Sequence, residues 1–209
     1  MFESTIELYD HYYQKHCDKP DFNNDLGCEV RERLQQLDYL IEAVQGREQR
    51  EKLVMKRYLD AFEKHVKYVL DSGLSWEKTP VPSDIKPTSE EAKESIHLVF
   101  EMQLFTECFY YLAGRLRGIL KNKIFPFPGL KSFECEGARN VRNKLLEHVE
   151  SESQITIRSF AWDGAKGQGT VLKSARPTGQ EQVFPDKGLY FNATEIKTNL
   201  ERLLKQALA

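Results

Sequence analysis

Between the proline-rich run that ends at Pro87 and the aromatic loop Phe125-Pro126-Phe127-Pro128 lies one uninterrupted helical pattern, about Ser89 to Leu120. A helix of that length must be covered along much of its surface, so it dictates a helical bundle for its neighbours. Its start is marked by Thr88-Ser89-Glu90-Glu91, which reads as a capping box: the Thr88 hydroxyl and the Glu91 carboxylate each satisfy a free backbone N–H. The apolar residues Ile96, Val99, Phe100, Leu104, Phe105, Cys108, Phe109, Leu112, Leu116 and Ile119 spread over much of the circumference. That distribution predicts the central helix of the bundle.

The flanking segments agree. Ile6, Tyr9 and Tyr13 share one side of a first helix near Phe2 to Cys17, and Val30, Leu34, Leu37, Ile41 and Val44 line a second, about Cys28 to Gln45. Gly46 is read as a break or kink. A third helix carries Leu53, Tyr58, Phe62, Val66 and Val69 and ends at Gly73, ahead of a loop that runs to Thr88. A further helix spans about Phe133 to Val149. Beyond Glu150 the period changes to two: Gln154 to Phe160 alternates as a strand, Gly164 to Gly169 reads as a turn, and Thr170-Val171-Leu172 pairs back. Asn192 with Glu195 resembles a second capping box, opening a last helix with Ile196, Leu200, Leu203, Leu204 and Leu208 on one stripe. The fold class is therefore mainly α: a helical bundle over about 1–150, then a small β-hairpin and a C-terminal helix over about 151–209, all one domain.

With 40% hydrophobic and 30% charged residues the chain is too apolar for disorder. A net charge of −2 excludes a chain-wide attraction to polyanions but leaves room for a local basic patch. No apolar run approaches a membrane span, and the N-terminus lacks the pattern of a signal peptide, so no membrane contact and a cytoplasmic location are expected. The cysteines Cys17, Cys28, Cys108 and Cys135 form no C-x-x-C pair and are expected as free, largely buried thiols. Taken with His11 and His16, Cys17 and Cys28 match no structural zinc spacing. No metal or cofactor is expected.

The segment that carries chemistry is Ala138 to His148. On a helical wheel Val141, Leu145, Leu146 and Val149 define an apolar face, and Arg142 falls inside it. His148 flanks that face beside Val141, while Asn143 points away. A guanidinium on a core-facing stripe is costly unless it is paired or reaches a wet cleft.

Arg142-Asn143-Lys144-Leu145-Leu146-Glu147-His148 resembles the R-x(4–6)-H signature of the HEPN superfamily, including the polar residue after the arginine. The preceding apolar helix, with Phe109-Tyr110-Tyr111-Leu112-Ala113, and the short loop after it fit the same pattern. The resemblance implies a HEPN-like bundle that forms a homodimer, with two motif helices facing each other across a cleft. It implies either a metal-independent endoribonuclease or a non-catalytic binding and assembly module for a nucleotide, nucleic acid or protein. It further suggests a toxin or defence role, with an antitoxin or another protein as partner. Carried onto this chain, His148 serves as general acid and base, with an ordinary pKa near neutrality. Arg142 meets the scissile phosphate, and Asn143 orients the substrate or the arginine.

Independently of the family, Arg115, Arg117, Lys121 and Lys123 lie close together with no acid among them, next to Phe125 and Phe127. A basic track beside aromatic residues is one way of holding single-stranded RNA. Arg139 and Lys144 add cations on the motif helix. The competing reading is local: cations gather at a helix C-terminus to offset its dipole, and the phenylalanines fold back onto the core. Arg142 has such a reading too, in which it snorkels out to Glu107 or Glu134.

Overall fold

In the computed structural model, the residues described are 1–73, 79–82, 85–150, 156–163, 168–175, 181–184 and 188–209; of these, 144–150 and the strands are described as backbone alone. Among the described residues are six helices: α1 (Glu3–His16), α2 (Asn24–Val54), α3 (Lys56–Asp71), α4 (Ser89–Leu120), α5 (Glu136–Glu150) and α6 (Leu189–Leu208). The fold is mainly helical. Between α5 and α6 lie β1 (Thr156–Asp163), β2 (Gln168–Ala175) and β3 (Glu181–Phe184), antiparallel in the order β1-β2-β3. The expectation of a small hairpin around 155–172 is not met as such: a third strand, too short to show an alternating pattern of its own, pairs with the second. Part of the turn expected from Gly164 to Gly169, residues 164–167, lies outside the described residues.

The chain divides into two compact units, Met1–Glu42 with Leu104–Ala209, and Ala43–Gln103. In the first, one aromatic and aliphatic core draws on several helices. Tyr9 and Tyr12 of α1, Leu34, Leu37 and Ile41 of α2, Phe109, Tyr110 and Leu116 of α4, and Ile196, Leu200 and Leu204 of α6 are all fully buried. The buried tyrosine hydroxyls are matched rather than left dry. Tyr9 donates to the Gly27 carbonyl at 2.9 Å and Tyr12 to the Pro128 carbonyl at 3.0 Å. Helix α1 is tied to α6 by Ser4 and Thr5, whose hydroxyls donate to Glu201 at 2.7 and 2.9 Å, and by Lys15, which caps the last carbonyls of α6 at 3.0 Å.

The second unit holds parts of α2 and α4 and all of α3. It buries few large side chains, Val44, His65 and Val69 among them. Across its helices run the ion pairs Arg47–Glu101, Arg50–Glu94 and Arg57–Glu91, at 2.8 to 2.9 Å. At its edge the capping box forms as the sequence implies: Thr88 N–H donates to Glu91 at 2.7 Å, and Glu91 N–H to the Thr88 hydroxyl at 3.2 Å.

Three local expectations need correction. Helix α2 runs through Gly46 to Val54, because a lone glycine weakens a helix without ending it. The stripe α1 buries is Thr5, Tyr9, Tyr12 and His16, not Ile6, Tyr9 and Tyr13. Helix α6 begins at Leu189 after Gly188, whose φ is 90°, so Asn192 sits inside the first turn and does not cap it.

Candidate functional site

Helix α5 leaves the loop after Cys135 with Ala138 and Val141 packed inward, and this sets the rotation of the motif. Ala138 and Val141 are three residues apart, so Arg142 lies at the border of the buried face, half-buried, and Asn143 is exposed. The Arg142 side chain passes over Gly114 of α4: a methyl group built on Gly114 would overlap Cδ and lie 2.6 Å from Nε. Its Nε is sealed from solvent and has no hydrogen-bond partner. His148 and Lys144 fall within α5, and their side chains lie outside what is described. His148 lies six positions after Arg142, about 9 Å along a helix and about 120° around it. One helix therefore does not set the two side by side on its own. Arg139 is partly exposed, with Glu136 3.8 Å away.

The basic track is not an open row of cations. Arg115 Nε donates to Glu29 at 3.0 Å, and Arg33 holds the same carboxylate at 3.0 Å. Arg117 donates to Glu134 at 2.8 Å, and Lys121 closes on its other oxygen. The Glu29 carboxyl is lowered chiefly by the Arg115 hydrogen bond, and Arg117, then Lys121, hold Glu134 down at about 2. Lys123 is exposed. The two phenylalanines part company: Phe125 is 42% exposed, whereas Phe127 is buried and meets Phe22 edge-on at 5.5 Å.

Two features were not anticipated from sequence. One is Gly114, for which a glycine inside a strong helical pattern is the available signal, since it often marks a close approach. The other is a cleft of about 550 Å³ between α2 and α4, with Tyr39, Leu104, Cys108 and Tyr111 on its walls and Arg33 and Glu107 among its polar groups. Helix α4 is thus not enclosed on all sides: its inner face is buried at Phe109, Tyr110 and Ala113, while Tyr111 is 58% exposed.

Among the described residues no cluster of three or more His, Cys, Asp or Glu is placed to hold a metal ion, and no helix is long and apolar enough to cross a membrane. His16 instead stacks on Tyr12 at 4.6 Å with its Nδ1 3.1 Å from Lys19 Nζ. No protein-family model, curated protein or solved structure matches the chain.

Proposed function

We propose that this chain is a HEPN-like protein acting on RNA, a metal-independent endoribonuclease whose site is completed at a cleft between two copies. The observation that carries the reading is Arg142, half-buried with Nε sealed and lacking a hydrogen-bond partner. A cationic group held this way costs stability, and such a cost is typical of residues kept for a ligand. An RNA phosphate brings a negative charge to the guanidinium, which grips it more strongly as charge builds in the transition state. His148 removes the 2′-hydroxyl proton and returns a proton to the leaving 5′-oxygen, which yields a 2′,3′-cyclic phosphate and a 5′-hydroxyl. The offset between Arg142 and His148 along one helix is what makes a second copy useful: two facing helices offer the arginine of one against the histidine of the other.

A second reading is favoured by a specific observation. Arg115, Arg117 and Lys121 are committed to Glu29 and Glu134, so the track offers fewer unpaired cations for phosphates than the sequence suggests. Under this reading the chain is a non-catalytic helical module for a nucleotide, a nucleic acid or a protein, including an antitoxin-type partner. Incubation of varied RNAs with wild type, Arg142→Ala and His148→Ala in EDTA separates the two. Cyclic-phosphate ends made by wild type and abolished by both substitutions establish the nuclease. Intact RNA with folded wild type refutes it in favour of the binding module.

A further inference from the structure

Helix α4 contains two interior glycines four residues apart, and their surroundings differ. Nothing lies within 4 Å of the position a Cβ would take on Gly118. At Gly114 that position is occupied by the arginine side chain: Cδ overlaps it, Nε is 2.6 Å away and Cζ 3.3 Å. Each glycine costs the helix about 1 kcal/mol against alanine. At Gly114 that cost coincides with a groove that fits the stem of Arg142, whose Nε is sealed from solvent.

A guanidinium is a planar fork whose usefulness toward a phosphate depends on direction. With Cδ, Nε and Cζ laid against helix backbone, the stem loses its freedom to swing, and the fork is aimed from behind. We propose that Gly114 is a positioning residue for Arg142, a notch in α4 that pre-sets the guanidinium for an RNA phosphate. The proposal rests on the nuclease reading and names what holds its arginine. Gly114 itself touches no substrate. The overlap created by a side chain at 114 falls on a flexible stem rather than on backbone, so Gly114→Ala displaces the arginine and leaves the helices where they are.

The test compares Gly114→Ala with Gly118→Ala in the full chain. Three readouts are taken: urea denaturation, hydrogen exchange of the Arg142 Nε–H followed by nitrogen-15 NMR (its signal identified by its loss in Arg142→Lys), and RNA cleavage at saturating RNA. Both variants are expected to fold at least as stably as wild type. Gly118→Ala should keep a protected Nε–H and wild-type cleavage. Gly114→Ala should expose the Nε–H to fast exchange and lower kcat by about 100-fold, with KM little changed, as for a misplaced catalytic group. A Gly114→Ala variant with a protected Nε–H overturns the proposal, as does one with exposed Nε–H but unchanged cleavage. Unfolding of Gly114→Ala also overturns it, because the glycine would then be serving helix packing. Should wild type cut no RNA, fast exchange in Gly114→Ala still establishes the notch, and the nuclease reading fails separately.

Discussion

Nδ2 of Asn192 on α6 donates to the hydroxyl of Tyr110 on α4 across 3.0 Å, and both side chains are completely buried. A polar pair in this position locks α6 to α4 in one register, because sliding either helix strands a buried group. Tyr110→Phe removes the acceptor and is expected to cost about 1–3 kcal/mol in urea denaturation. Tyr111→Phe next to it, on an exposed ring, should stay within about 0.5 kcal/mol. Equal effects from the two would show that the hydrogen bond contributes nothing specific.

Asn192 also explains a glycine on α5. A Cβ on Gly137 would overlap Oδ1 of Asn192 and lie 3.1 Å from Glu195 Oε2. The amide is held by Tyr110 and cannot yield, so Gly137→Ala should destabilise by about 1–3 kcal/mol despite better helix propensity. Gly46→Ala, with open space around it, should gain up to about 1 kcal/mol. A stable Gly137→Ala would mean that α5 shifts freely against α6.

These residues mark where sequence reading stops. The limits of α4 were legible because capping chemistry and prolines are local, and the anomaly of Arg142 was legible because helical spacing alone puts a charge beside Val141 and Leu145. Apolar spacing puts Ile6, Tyr9 and Tyr13 on the inner side of α1, whereas Thr5 and His16, neither of them apolar, are buried through hydrogen bonding and ring stacking. Asn192 looks like a cap for the same reason: its polar side chain finds a partner on a distant helix. The acid that neutralises Arg115 lies 86 positions away, and the glycine under Arg142 lies on another helix. Only packing brings such pairs together.

Acid stability should report the Glu134 cluster. Its carboxyl is held down at about 2 in the fold, by Arg117 first and then Lys121, against an ordinary value of 4.5. A depressed carboxyl contributes stability above the unfolded value and loses it as pH falls through the folded one. Glu134→Gln should therefore be less stable than wild type at pH 7. The gap, under about 1 kcal/mol because the side chain is 45% exposed, should close between pH 4.5 and about 2. A gap of constant size down to pH 2 would assign the effect to packing instead.

The four thiols should separate by reactivity. Cys28 and Cys108 are exposed, Cys17 is intermediate, and Cys135 is fully buried, with its thiol pushed up to about 12 by burial. The thiolate is the reacting species, so Cys135 lacks both access and charge. Labelling at pH 8 with a chromogenic disulfide should modify Cys28 and Cys108 first and Cys135 only in denaturant. Fast labelling of Cys135 in the native protein would contradict the packing of α5 described above.

Binding of single-stranded RNA should divide the basic residues by their partners. Lys123 is exposed, so Lys123→Ala should lower affinity and reduce the slope of log affinity against log salt by about 0.7, one released counterion, between about 50 and about 200 mM salt. Arg117 is bound to Glu134 and must leave it to meet a phosphate. Arg117→Ala should leave that slope almost unchanged and lower stability by under about 1 kcal/mol. The two effects come from one physical fact: a cation already paired with a carboxylate neutralises no phosphate, so it releases no counterion from the RNA. If Arg117→Ala instead reduces the slope as much as Lys123→Ala, the Glu134 pair opens when RNA arrives, and the track read from the sequence is an RNA contact after all.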